Sequence, residues 1–165
     1  MKIISVFLLF NLIFTSSKLE DVRNQFPEIN TLEQAENYLV ELENEEDDTL
    51  QGYYAAMLFM KSKHVKFPLT KLKYFKKGRL LLDELISNHQ HNIEIRYIRF
   101  LLQSEMPDFL GYNKNIEEDF LYITKQVKQS NLKREFKVKM LQNMLKIKKN
   151  TAENNISITQ LLNNL

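Results

Sequence analysis

Apolar positions along this chain recur every three or four residues, and no stretch alternates in the period-two manner of a half-buried strand. The clearest case is Asn92–Asn113, NIEIRYIRFLLQSEMPDFLGYN. Wound as a helix, it places Ile95, Ile98 and Leu102 on one flank and Tyr97, Phe100 and Leu101 on another. Arg96, Arg99 and Gln103 form a narrow polar stripe between them. A helix with two apolar flanks needs cover on two sides, so this one is expected to be sandwiched between other helices. Pro107, Gly111 and Asn113 then mark a turn, expected to be pinned by Met106, Phe109, Leu110 and Tyr112.

The other elements follow from the same period. Lys18 to Ile29 is short and amphipathic and is interrupted at Pro27. Thr31 and Gln34 have the spacing of a capping box, and Leu32, Ala35, Tyr38, Leu39 and Leu42 follow at helical intervals. The acidic run Glu41–Asp48 ends just before a helix from Thr49 to about Val65, whose positive end it complements. The adjacent Ala55 and Ala56 should let a neighbouring helix approach closely. Phe67-Pro68 starts a helix running to about Asn88, with Leu72, Phe75, Leu82, Leu85 and Ile86 facing a core. Asn92 is a fair N-cap for the central helix. Asn115 and Glu118 suggest a second capping-box-like start, followed by Ile116, Phe120, Ile123 and Val127 on one face. A helix from about Leu132 to Lys148 carries Phe136, Met140, Met144 and Ile147. Asn150 to Asn155 is a polar linker, and Ile156 to Leu165 has the pattern of a short final helix. The fold class is therefore all-α, an antiparallel array of about six to seven helices joined by short connections.

Composition narrows the class. The chain of 165 residues fits one domain, and with only three Gly and three Pro it lacks the turn residues of a β-rich fold. It has no cysteine, which excludes a disulfide framework, a thiolate metal site, a cysteine nucleophile and a bacterial lipoprotein anchor. Lys2, the apolar run Ile3–Phe14 and the small residues Thr15, Ser16 and Ser17 match a secretory signal peptide cleaved after Ser17. Residues 18–165 are then one helical domain, and its expected location is the periplasm or the outside of the cell.

The net charge of +2 hides a division. Residues 18–48 hold eleven acids and two bases, whereas 49–165 hold ten acids and twenty bases. Lys61–Arg79 has eight bases and no acid, and Lys125–Lys149 has nine bases against Glu135 alone. Such runs suit an anionic partner or, more simply, neutralisation by the acidic N-terminal helices. No nucleic-acid recognition motif accompanies them, and export points away from the genome.

Candidate chemistry is sparse. His89 and His91 could face one metal, but a zinc site needs more ligands, and solvated turn histidines are the default. Glu117, Glu118 and Asp119 are best explained by the helix N-terminus they occupy. No GxSxG, HExxH, phosphate-cradling or dinucleotide motif is present, so neither a catalytic residue nor a cofactor is assigned. Arg96 and Arg99 carry more weight. Charge on so apolar a helix needs carboxylate partners, whether internal (Glu94, Asp108 or an N-terminal acid) or from a ligand. The ligand reading is a groove that binds an acidic peptide or polymer bidentately through Arg96, Arg99 and Gln103, with Tyr97, Tyr112 and Asn113 on its rim.

From Gly78 to Phe100 the order of residues resembles the second helix of a tetratricopeptide repeat leading into the next. Gly78 stands at the small close-packing position, Leu82 and Leu85 at bulky ones, and a polar turn precedes the helix at Ile93. Gln90 stands where the repeat usually has proline, and no second copy recurs at the repeat's period. In its overall look the chain is similar to exported, Lys/Asn/Ile-rich helical proteins of Gram-negative bacteria. The resemblance implies tetratricopeptide-like helix packing and a scaffold or protein-binding role in the cell envelope, not catalysis. Two other functions remain open: an envelope enzyme using carboxylates with Arg96 and Arg99, and attachment to an anionic surface through the basic helices.

Overall fold

The computed structural model describes residues 17–165, and its regular structure is all helical, with no strand among these residues. The elements are α1 (residues 17–25), α2 (Leu32–Leu42), α3 (Asp48–His64), α4 (Pro68–Asn88), α5 (Ile93–Glu105), α6 (Ile116–Gln126), α7 (Arg134–Leu145) and α8 (Ala152–Asn163). The leader reading concerns residues 1–17 and, Ser17 apart, lies outside the described residues. No helix among the described residues is long and apolar enough to cross a membrane.

Local chemistry sets most boundaries. Thr31 Oγ1 accepts from the Gln34 amide at 3.1 Å while Gln34 Oε1 accepts from the Thr31 amide at 3.2 Å, completing the capping box of α2. Asp47, last but one of the acidic run, caps α3 by accepting from the amides of Thr49 and Leu50 at 2.9 Å. Proline opens α4 at a position where no amide hydrogen is needed. Asn92 Oδ1 accepts from the amides of Glu94 and Ile95 at 3.0 and 3.1 Å and starts α5.

Packing then follows from the apolar stripes. α3 lies against α4 and α2, and α5 lies among α3, α4 and α6. Every residue of α5 from Ile93 to Ser104 is buried, as two apolar flanks require. The tightest approach is between α3 and α4. A Cβ placed on Gly78 would stand 2.9 Å from the Ala55 carbonyl oxygen and 3.0 Å from the Phe59 ring. Only glycine allows the two backbones that close, and Ala55 supplies the other small surface. α7 reaches across to α5, where Asn143 Nδ2 donates to the Tyr97 hydroxyl at 2.9 Å. It also reaches α1, where the Arg23 guanidinium lies 4.6 Å from the centre of the Phe136 ring.

Three sequence expectations need correction. Leu72 lies on the core stripe of α4 but is 41% exposed, because a cleft opens beside it instead of a neighbouring helix. Phe109 does not pin the turn. It sits in a 3-10 turn, Asp108–Leu110, whose successive side chains fan out, and it is 86% exposed. Asn115 precedes α6 without capping it, since its φ of −107° and ψ of 5° are not extended. Gln103 Oε1 accepts from the Asn115 amide instead, at 3.1 Å.

Candidate functional site

The Arg96–Arg99–Gln103 stripe does not line a groove. It faces the first turn of α6, where Asp119 is fully buried. Arg99 grips Asp119 bidentately, Nε to Oδ2 at 2.6 Å and an η nitrogen to Oδ1 at 2.8 Å. Arg96 adds bonds to Asp119 Oδ1 at 2.8 Å and to Glu118 Oε1 at 2.7 Å, and its Nε donates to the Gln90 carbonyl at 2.8 Å. The Tyr122 ring covers Arg96, 4.5 Å from the guanidinium carbon. Burial works against the charge on both arginines, but the hydrogen bonds and attraction of Asp119 and Glu118 outweigh it and hold both pKa values above the ordinary arginine range. The stripe is an internal brace between α5 and α6.

The partners also differ from those expected of the arginines. Glu94 is buried but answers Arg23 and the Tyr53 hydroxyl, the latter at 2.8 Å. Asp108 pairs with Lys149 at 2.8 Å. The residues expected on a rim are placed otherwise too. Tyr97 is buried, between Phe26 and Phe136 in edge contacts. Tyr112 is buried, stacked on Phe59, with its hydroxyl donating to Asp83 at 2.9 Å. Asn113 reaches only Asp108, at 3.4 Å. The donors that an arginine-based enzyme site would need are engaged by Asp119, Glu118 and the Gln90 carbonyl. His89 turns to Asp48 at 3.1 Å and His91 to Tyr122, and no group of three or more candidate metal ligands occurs among the described residues.

The basic runs divide in the same way. Acids of the N-terminal part meet bases of the later part in the pairs Lys61–Glu36 at 2.9 Å, Lys133–Glu20 at 2.7 Å and Lys146–Glu28 at 3.2 Å. Lys137 is buried and ties down the turn after α6, donating to the carbonyls of Lys128 and Ser130. Lys63, Lys66, Lys73 and Lys76 are exposed and have no carboxylate partner among the described residues.

An apolar opening lies elsewhere. A cleft of about 870 Å³ runs between the α3–α4 turn, the residues after α1, the loop after α5 and the end of α7. Its floor is buried and apolar: Phe26, Phe59, Phe75, Leu101 and Leu102. Leu72 and Phe109, the two residues that left the predicted core, stand exposed on its rim beside Lys63, Lys71 and Glu105. A volume of this order and an apolar lining with a few charges at the edge are the usual attributes of a small-molecule site. Sequence reasoning missed this cleft because its walls come from five separate segments. The available signal was weak: the chain's three prolines, Pro27, Pro68 and Pro107, all stand on its lining, each beside an apolar residue of a chain break. Comparison with family models, curated proteins and solved structures returns no match.

Proposed function

We propose that this protein is an exported, non-catalytic helical binding protein whose binding element is the apolar cleft. The observation that carries this reading is the 870 Å³ opening over a floor of buried aromatic and aliphatic side chains. Export rests on the leader-like run Ile3–Phe14. The close pairing of α3 with α4 at Gly78 supports tetratricopeptide-like helix packing as the scaffold. An acidic peptide or polymer held by the arginine stripe is disfavoured, because those donors are already engaged by Asp119 and Glu118.

The test is titration of the purified protein with the uncharged fluorophore N-phenyl-1-naphthylamine. One probe per chain should bind with enhanced emission, and Met60→Trp, on the half-buried cleft wall, should abolish the enhancement while the helical circular dichroism is kept. Absence of binding, or binding unchanged in Met60→Trp and in Leu72→Trp alike, rules the cleft out.

A second reading, attachment to an anionic surface, is favoured by the unpaired Lys63, Lys66, Lys73 and Lys76. Polyanion binding that does not weaken with salt would refute it, since exposed charge contacts are screened over about 8 Å at physiological ionic strength.

A further inference from the structure

The chemistry of the cleft defines the ligand more narrowly than its shape does. Two polar side chains reach the lining from inside: Ser62 Oγ donates its hydrogen to the Phe59 carbonyl at 2.7 Å, and Asn143 Nδ2 donates to the Tyr97 hydroxyl. Among the described residues no buried side-chain nitrogen or oxygen lacks a partner. The floor side chains Phe26, Phe59, Phe75, Leu101 and Leu102 offer no hydrogen bond to a ligand, and a polar group pushed onto them would lose its water without replacement. Hydrocarbon suits that floor.

The rim is charged, and unevenly. On the α3–α4 side stand Lys63, which has no carboxylate partner, and Lys71, whose Nζ has only the Lys63 carbonyl at 3.4 Å. The first turn of α4 holds no acid, and its N-cap Phe67 offers no side-chain acceptor, so nothing there offsets the positive helix end. On the other walls Lys146 is held by Glu28, and Glu105 stands as a lone exposed carboxylate. An anion on the rim is drawn to Lys63 and Lys71 and repelled from Glu105.

We propose that the cleft binds a single acyl chain with an anionic head group, the chain lying on the Phe26–Phe59–Phe75 floor and the carboxylate or phosphate resting against Lys63 and Lys71. This rests on the cleft being the binding element. Exposed Leu72 and Phe109 extend the apolar path at the mouth, where such a chain enters. The same head-group chemistry belongs to a free fatty acid and to an anionic bilayer lipid.

Calorimetric titration with sodium dodecanoate, octanoate, dodecyl maltoside and dodecyltrimethylammonium, each below its micelle concentration, separates these elements. Dodecanoate should bind one per chain and about two orders of magnitude more tightly than octanoate, because each added methylene buried contributes a factor of about four. Lys63→Glu/Lys71→Glu should weaken dodecanoate about tenfold or more while leaving N-phenyl-1-naphthylamine binding intact. The anionic head assignment is overturned if the cationic amphiphile binds as tightly, or if the double variant has no effect on dodecanoate. Binding of the fluorophore without binding of any amphiphile overturns the acyl chain but keeps the cleft. Failure of the fluorophore removes both. Sedimentation with phosphatidylglycerol vesicles, but no binding of monomeric dodecanoate, would replace the single-chain site with a bilayer contact; uptake of the free acid in the absence of vesicles supports the site.

Discussion

Arg99 and Asp119 form a two-point ion pair between α5 and α6, with contacts of 2.6 and 2.8 Å and with the carboxylate fully buried. Arg96 shares the same carboxylate through Oδ1 at 2.8 Å. Two cations thus depend on one buried acid, with the more exposed Glu118 as an outer partner.

Removing that acid strands both cations. Asp119→Ala should destabilise the fold by about 3–5 kcal/mol in urea unfolding, because breaking one side of a buried pair leaves uncompensated charge. Arg96→Ala should cost less, since Asp119 keeps Arg99. A loss below about 1 kcal/mol for Asp119→Ala, the level of an exposed pair, would contradict the brace.

Glu118 contributes to the acid limb of stability, beside Glu20 and Asp108, whose carboxyl pKa values are also lowered. Hydrogen bonds from Arg96 and Asn115, together with attraction from both arginines, hold its carboxyl below the ordinary glutamate value of 4.5 against a smaller burial effect. The folded pKa is depressed, so its contribution is present above the unfolded value and is lost as pH falls through the folded one. Glu118→Gln should flatten the stability–pH curve below about pH 4.5 and leave its shape near pH 7 unchanged, as read by urea midpoints across that range. An unchanged acid limb would count against the assignment.

The alkaline limb belongs to tyrosines. Burial is the first cause that raises the pKa of Tyr38, Tyr53, Tyr97 and Tyr112, and nearby Asp21, Glu94 and Asp83 reinforce it at Tyr38, Tyr53 and Tyr112. A phenol whose folded pKa is raised stabilises the fold fully below its unfolded value, and stability falls as pH rises past it. Ultraviolet titration should show the buried phenols of Tyr53, Tyr97 and Tyr112 ionising only together with unfolding, above about pH 10. Tyr97→Phe should reduce that dependence and also leave Asn143 without its partner.

Two glycines, Gly78 in the α3–α4 contact and Gly52 in the α3–α5 contact, should differ in their tolerance of alanine. Gly78→Ala should cost about 1–3 kcal/mol, because the added methyl meets the Ala55 backbone at 2.9 Å and cannot displace it. At Gly52 the nearest atom is the flexible Ile95 side chain at 3.3 Å, so the helix preference for alanine, about 1 kcal/mol, offsets the crowding. Thermal unfolding of the two variants distinguishes them; equal losses would refute this account of the packing.

What the sequence determined by itself was set by short-range chemistry. The capping box at Thr31–Gln34, the caps Asp47 and Asn92, Pro68 at the start of α4 and the buried faces of α5 and α7 all depend on residues within one or two turns of each other. The need of Arg96 and Arg99 for carboxylates was equally legible, because a charge on an apolar helix must be answered somewhere.

Tertiary structure decided which groups answered it. Asp119 looked like a helix-start acid, and only the packing of α6 on α5 turned it into the shared counter-ion, twenty residues from Arg99 along the chain. The same holds for the cleft. Its walls are drawn from the residues after α1, the ends of α3 and α7, the start of α4 and the loop after α5, so no local period encodes it. Leu72 and Phe109 carry the sequence signature of core residues. They line an opening instead because burial depends on what packs against a side chain, and that is fixed only when distant helices meet.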